Sequence, residues 1–179
     1  MTGPDLIVVT GLPRSGTSMM MRALGAGGAR LYYDQARPPD RHNPHGYFEL
    51  ERVKSLRDDP NVLDELTDGA VKVVYPLVCH LNPKRRYHLL VLRRPIADIV
   101  RSQDRMLSHE AAQEDFVRLF ETELERFDAW LHTSAHITAT DVEFDRMRID
   151  PLAECRRLAE RIPTRLDSNR MAAAVVPNG

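Results

Sequence analysis

Eight residues, Gly11-Leu12-Pro13-Arg14-Ser15-Gly16-Thr17-Ser18, separate two segments of opposite character. Upstream lies Leu6-Ile7-Val8-Val9, a continuous apolar run rich in β-branched side chains, which predicts a buried strand. Downstream lies Met19-Met20-Met21-Arg22-Ala23-Leu24, made of good helix formers. A helix is therefore expected from about residue 16 to residue 24, with Gly25, Gly27 and Gly28 ending it. A strand that turns through a glycine-bearing loop into a helix gathers unpaired backbone N–H groups where the helix dipole is positive. Such a place suits an anion, phosphate above all. Glycine at position 16 is expected to let that anion come close to the backbone.

The rest of the chain repeats the alternation. Residues 70–75 and 87–92 are mostly apolar runs without a polar face, the pattern of parallel strands covered on both sides. A short strand is expected at 31–33 and a weaker one at 136–140. Helices are expected at 51–56, at 96–107 behind Pro95, at 111–131, and from the Asp150-Pro151 cap to about residue 162, with a helical turn at 62–66. In the 111–131 helix, Phe116, Phe120, Leu124, Phe127 and Leu131 recur at three- and four-residue steps. They and Trp130 are read as core, with Glu121, Glu123, Glu125 and Arg126 on a solvated face. The tail from 164 carries no clear pattern. Alternating strands and helices predict one doubly wound parallel sheet over residues 1–179, with ligands at the carboxyl ends of its strands. The loop at 11–18, the Tyr75-Pro76 turn and the Arg93-Arg94 turn all fall at that edge.

A chain of 179 residues, 28% charged and 42% hydrophobic, is long enough for one α/β domain with a substantial core. A net charge of −1 argues against a strongly basic nucleic-acid binder. Cys79 and Cys155 show no metal-ligand spacing and are expected as reduced, packed thiols. With no basic, apolar leader and no long apolar segment, neither a signal peptide nor a membrane span is expected. A cytoplasmic setting follows by default.

The loop spacing resembles the nucleotide-binding P-loop, G-x-x-x-x-G-K-[ST]. Gly11, Gly16 and Ser18 fit it, but Thr17 stands at the lysine position and a cation sits inside the loop, at Arg14. That lysine grips the β- and γ-phosphates of a nucleoside triphosphate, so its absence argues against phosphoryl transfer while leaving the phosphate loop intact. A second segment begins at Arg94, at a strand end, and reaches Ser102 about two helical turns on, with Asp98 between. An arginine and a helix-borne hydroxyl can hold a phosphate together, the arginine by a forked contact, though the spacing alone is common.

Together the two segments resemble the sulfotransferases that use 3′-phosphoadenosine 5′-phosphosulfate (PAPS). Their 5′-phosphosulfate loop has the form P-[KR]-S-G-T-[ST], here Pro13-Arg14-Ser15-Gly16-Thr17-Ser18, and their second segment places a serine eight residues after an arginine. Asn43-Pro44-His45-Gly46-Tyr47-Phe48-Glu49, Val71-Lys72-Val73-Val74 and Met171-Ala172-Ala173-Ala174-Val175-Val176 also look like a group of small bacterial sulfotransferase-like proteins.

The resemblance implies a P-loop-type α/β three-layer sandwich, a central parallel sheet flanked by helices. It implies PAPS as co-substrate, no metal, and a hydroxyl or amine acceptor on a small molecule or peptide; from composition and the lack of a long apolar segment, no nucleic acid or membrane partner is expected. It assigns Arg14, Ser15, Gly16, Thr17 and Ser18 to the 5′-phosphosulfate and Arg94 and Ser102 to the 3′-phosphate. Arg14, with Lys72 assisting, would stabilise the transferring sulfonate. Many members carry Lys-Thr-His where this chain has Lys72-Val73-Val74, so Val74 replaces the usual histidine base. Other branches use a glutamate. Glu49, which follows two aromatic residues in a segment suited to acceptor binding, is the candidate base, with His45 and His42 behind it. Larger relatives cover the cofactor with a basic, glycine-containing C-terminal loop, for which only Arg165, Arg170 and Asn178 are available here. Two other readings stay open: a non-catalytic nucleotide-binding module of the same fold, and a P-loop small-molecule kinase.

Overall fold

In a computed structural model, which describes residues 5–34, 40, 43, 46–107 and 113–175, the apolar run before the loop forms strand β1 (Leu6–Gly11), buried along its whole length. Leu6 and Val8 enter one hydrophobic core and Ile7 and Val9 the other. Side chains alternate across a strand, so a strand with a core on each face must be apolar at every position. The remaining strands are β2 (Leu31–Tyr32), β3 (Ala70–Lys72), β4 (Tyr87–Arg93) and β5 (Ile137–Glu143). They form one parallel sheet in the order β2-β3-β1-β4-β5. Helices α2 (Ile96–Leu107) and α3 (Gln113–Thr133) cover one face. Helices α1 (Thr17–Ala26), α4 (Phe144–Ile149), α5 (Pro151–Arg161) and α6 (Ser168–Ala173) cover the other. The three-layer α/β sandwich expected from the sequence is the fold observed.

Several elements differ from expectation. Residues 51–57 form a 3₁₀ helix (Glu51–Arg57) in place of an α-helix. The strand expected over 70–75 stops at Lys72, and the chain tightens into a second 3₁₀ helix (Tyr75–His80), whose second residue, Pro76, has no N–H to give a ladder. Gly25 does not end α1 but lies inside it. A Cβ there would stand 2.7 Å from Leu31 Cδ1, so glycine lets β2 pass close to the helix. β5 is longer than expected and half exposed, as suits an edge strand. Asp150 caps α5 as expected, accepting from Ala153 N at 3.0 Å. The tail holds α6, capped by Asp167, whose carboxylate accepts from Asn169 N and Arg170 N. Met171 buries α6 in the same core as α1. Among the described residues, no helix is long and apolar enough to cross a membrane.

Candidate active site

The loop between β1 and α1 lies at the carboxyl end of the sheet. β1 is central there, and the chain reaches its neighbours β3 and β4 by crossovers on opposite sides, the crevice where ligands of open α/β sheets bind. The loop is held tightly: Ser15 N donates to Leu12 O at 3.1 Å and Met20 N to Gly16 O at 3.0 Å. Arg14 has φ 66° and Gly16 φ 102°. Among the described residues the only other non-glycine with positive φ is Phe48 (φ 52°), on the segment facing the same cleft. Left-handed backbone is uncommon for residues with a Cβ and concentrates at ligand sites. Glycine at 16 has a reason the sequence did not show: a Cβ there would stand 2.7 Å from the ring of Phe144, so ring packing and positive φ require it.

A cleft of about 1460 Å³ opens over this loop. Among the described residues, Arg14, Arg22, Arg57, Lys72, Arg94, Arg126 and Arg148 line it, against two carboxylates, Glu49 and Glu123. The chain as a whole carries −1, so positive charge has been gathered into one place. Arg14, Gly16, Thr17, Ser18, Glu49, Lys72, Arg94 and Ser102 all line the cleft. Ser15 is the exception among the residues expected there: its hydroxyl is buried with no hydrogen-bond partner.

The two segments expected to hold phosphates meet. Arg14 Nε donates to Ser102 Oγ at 3.2 Å, and Arg94 Nη1 donates to the Arg14 carbonyl at 2.8 Å. The Arg94 guanidinium lies 4.1 Å from the centroid of Phe144, whose ring also has Arg148 at 5.8 Å. Burial holds the Arg94 guanidinium below its ordinary value, while Asp98 and Asp145 pull the other way. Its Nε is buried without a partner. Arg22 is likewise lowered by burial, and its Nε donates to Ala174 O at 2.8 Å, tying the end of α6 to α1.

The segment 46–49 is fixed by the same loop. Ser18 Oγ donates to Tyr47 O at 3.3 Å and accepts from Asn43 Nδ2 at 3.1 Å. Lys72, only 8% exposed at the end of β3, donates to Tyr47 O and lies 3.5 Å from Glu49 Oε1. A strand-end lysine here does not snorkel to water. It anchors the segment that presents Glu49 to the cleft.

The face of α3 was expected as plain core and solvated surface. Phe120 and Phe127 are buried, yet with Leu119 and Trp130 they also form a cleft wall, and Glu123 and Arg126 line it too. Cys79 is exposed on this wall and Cys155 is buried in the opposite core, so only one of the thiols is packed.

Arg22, Phe144 and Arg148 escaped the sequence reading. Phe144 and Arg148 lie one helical turn apart just after β5, and the strand-end rule that singled out Arg94 also points there once β5 is placed. Arg165 and Arg170 do not line the cleft. His42, His45 and Asn178 lie outside the described residues.

No protein-family model matches the chain, and no curated protein matches it. Among solved structures it is similar to sulfotransferase STF1 from Mycobacterium tuberculosis H37Rv, with a TM-score of 0.60 and 19% identity. The similarity covers 99% of this chain and 72% of that one. The chain thus has a sulfotransferase-like fold over its length.

Proposed function

We propose that this chain is a sulfotransferase that takes PAPS as donor, passes the sulfuryl group to a hydroxyl or amine, and releases 3′,5′-bisphosphoadenosine. One observation carries the reading. Arg94 and Ser102, assigned by resemblance to the 3′-phosphate, converge on Arg14, assigned to the 5′-phosphosulfate, in a cleft with a strong excess of cations. The residues fit such a donor. The Arg94 guanidinium lines the cleft with only Nη1 given to the Arg14 carbonyl, and a phosphate oxygen can accept from its cleft-facing N–H groups. The missing P-loop lysine has no role where there is no triphosphate chain.

PAPS would supply the sulfuryl group and a stabilised leaving group. Arg14, the loop N–H groups and the Thr17 hydroxyl are donors for negative charge on the sulfonate and bridging oxygens, while the Ser18 hydroxyl, given to Tyr47 O, holds the segment that carries Glu49. Lys72 adds a fixed cation and holds Glu49 at the cleft, where its carboxylate takes the acceptor's proton. Val74, 45% exposed on the cleft where many relatives have a histidine, favours a second reading, a bisphosphate-binding module without transfer. The absent loop lysine leaves a kinase as the weakest alternative.

Thermal shift separates these. At a hundredfold excess over its dissociation constant, 3′,5′-bisphosphoadenosine should raise Tm by about 5–10 °C, corresponding to ~2.7 kcal/mol. AMP, or ATP with magnesium, should do much less. Arg94→Ala should weaken the bisphosphate far more than AMP. Stabilisation by ATP with magnesium alone overturns the proposal. Bisphosphate binding with no transfer to any acceptor selects the binding module, and turnover undiminished in Glu49→Gln removes Glu49 as the base.

A further inference from the structure

The cleft has two halves, and the donor accounts for one. Arg14, Arg22, Arg94 and Arg148 gather around the loop, Ser102 and Phe144. The other half is an apolar wall. Tyr75, Phe127 and Trp130 form a connected aromatic row, with ring centroids 4.8 Å and 5.7 Å apart. Tyr75 is fixed by donating from its hydroxyl to Glu123 O at 3.1 Å. Val74 and Leu119, the latter 51% exposed, lie on this wall, two of the four exposed large hydrophobic side chains among the described residues. Apolar surface gathered in a cleft beside a few placed polar groups is the signature of a ligand site.

The charge of this half narrows the ligand. Arg126 is paired with Glu123 at 3.1 Å, and Lys72 lies beside Glu49. Arg57 differs. It ends the 3₁₀ helix Glu51–Arg57, which packs against the 3₁₀ helix Tyr75–His80, the segment that starts the aromatic row and brings His80 to the cleft. Arg57 makes no ion pair or hydrogen bond among the described residues. A neutral apolar ligand would leave the exposed Arg57 guanidinium to water, and a cationic ligand would be repelled by it. A ligand with an anionic group supplies the missing partner.

We infer that the acceptor is an amphiphilic hydroxyl compound, an apolar or aromatic body carrying an anionic group, and that Arg57 recognises that group. This rests on the cleft being a sulfuryl-transfer site, since only then is its second half the acceptor's place. The aromatic row takes the apolar body. Arg57 takes the anion, and the hydroxyl is left toward Glu49 and the donor half.

The test uses the full-length protein saturated with 3′,5′-bisphosphoadenosine and three phenols of matched size: 4-propylphenol, 3-(4-hydroxyphenyl)propanoate and 4-(3-aminopropyl)phenol. Binding is read from Trp130, the one tryptophan of the chain, which lies on the cleft wall. The propanoate should bind at least about tenfold tighter than propylphenol, as one charge-assisted hydrogen bond allows, and the amine should bind most weakly. Arg57→Gln should bring the propanoate-to-propylphenol ratio to below about threefold, with the bisphosphate-induced thermal shift reporting that the variant is folded. Propylphenol binding as tightly as the propanoate overturns the inference, as does a ratio that survives Arg57→Gln. The wild-type comparison decides the ligand class even if the variant does not fold. Failure of the bisphosphate to stabilise the protein defeats the transferase reading instead. The same titration run without bisphosphate then still decides the anion preference.

Discussion

Gly16→Ala and Gly28→Ala form a matched pair. Their φ angles, 102° and 105°, place both in backbone that residues with a Cβ adopt at a cost. A Cβ at Gly28 meets nothing within 4 Å. One at Gly16 stands 2.7 Å from Phe144 Cδ2 and 3.1 Å from Cε2. Gly28→Ala therefore measures backbone strain alone, about 1–2 kcal/mol. Gly16→Ala carries the same strain and must also displace a buried ring, which adds about 1–3 kcal/mol and brings the total to about 2–5 kcal/mol. The ring is not free to yield, because the Arg94 guanidinium packs on it at 4.1 Å. Urea unfolding reads both losses as shifts in midpoint at unchanged slope. A second readout ties the clash to the site. Gly16→Ala moves Phe144 and hence Arg94, so it should reduce the bisphosphate-induced thermal shift. Gly28→Ala, beyond the far end of α1, should preserve it. Phe144→Leu combined with Gly16→Ala makes room for the methyl group and should recover the excess loss, a coupling that a double-mutant cycle isolates. Equal destabilisation by the two glycine variants, or no recovery on shortening Phe144, refutes the Phe144 contact as the reason for glycine at 16.

Two further outcomes are expected. His88 is buried on β4 with Nε2 3.0 Å from Thr140 Oγ1, and burial holds its imidazole below the usual 6.5, with Asp5 opposing. The unfolded chain then takes up this proton first as pH falls, so the stability tied to neutral His88 is complete above 6.5 and is lost as pH drops toward the folded value. Tm should fall between pH 7.5 and 5.5, and His88→Gln, which keeps a hydrogen bond to Thr140 without titrating, should flatten that slope. His136, lowered by burial too, leaves a same-signed remainder. Equal slopes refute the assignment. For the thiols, Cys155 is buried and pushed up to about 11, whereas Cys79 is exposed. A thiol reagent should label one equivalent quickly, lose that phase in Cys79→Ser, and reach Cys155 only on unfolding. Rapid labelling of both thiols in the folded protein would contradict the burial of Cys155.

The central strand and its loop were legible because local chemistry decides them. Leu6 to Val9 must be buried on both faces, and two glycines with a helix behind them leave few other conformations. The parallel sheet and the placing of the Arg14 and Arg94 loops at one edge follow from alternation and the strand-end rule, whereas Ser102, two turns into α2, was singled out by the family resemblance. What stayed hidden depends on tertiary packing. The apolar stripe of α3 reads the same whether it faces core alone or core and cleft together. Residues 70–75 look like one strand, yet only Ala70 to Lys72 find a ladder. Ser15 lies within the loop motif, but the turn directs its hydroxyl inward. Helix α4 is only six residues long, too short for a periodic signal, so Phe144 and Arg148 could be found only from where β5 ends.

The position of the cation separates this loop from a triphosphate loop. In a P-loop the lysine belongs to the start of the helix, so the loop itself places its charge. Here Thr17 occupies that position, and Arg14 projects from backbone at φ 66°, a conformation with a cost for a residue bearing a Cβ. Two contacts from beyond the loop hold it there. Arg94, after β4, takes the Arg14 carbonyl, and Ser102, on α2, takes its Nε. The charge at one expected phosphate is thus positioned by the two residues assigned to the other. A ligand with a single phosphate can engage only half of that arrangement. One with anionic groups at both ends can complete it, and this distinction underlies the expected preference for the bisphosphate over AMP.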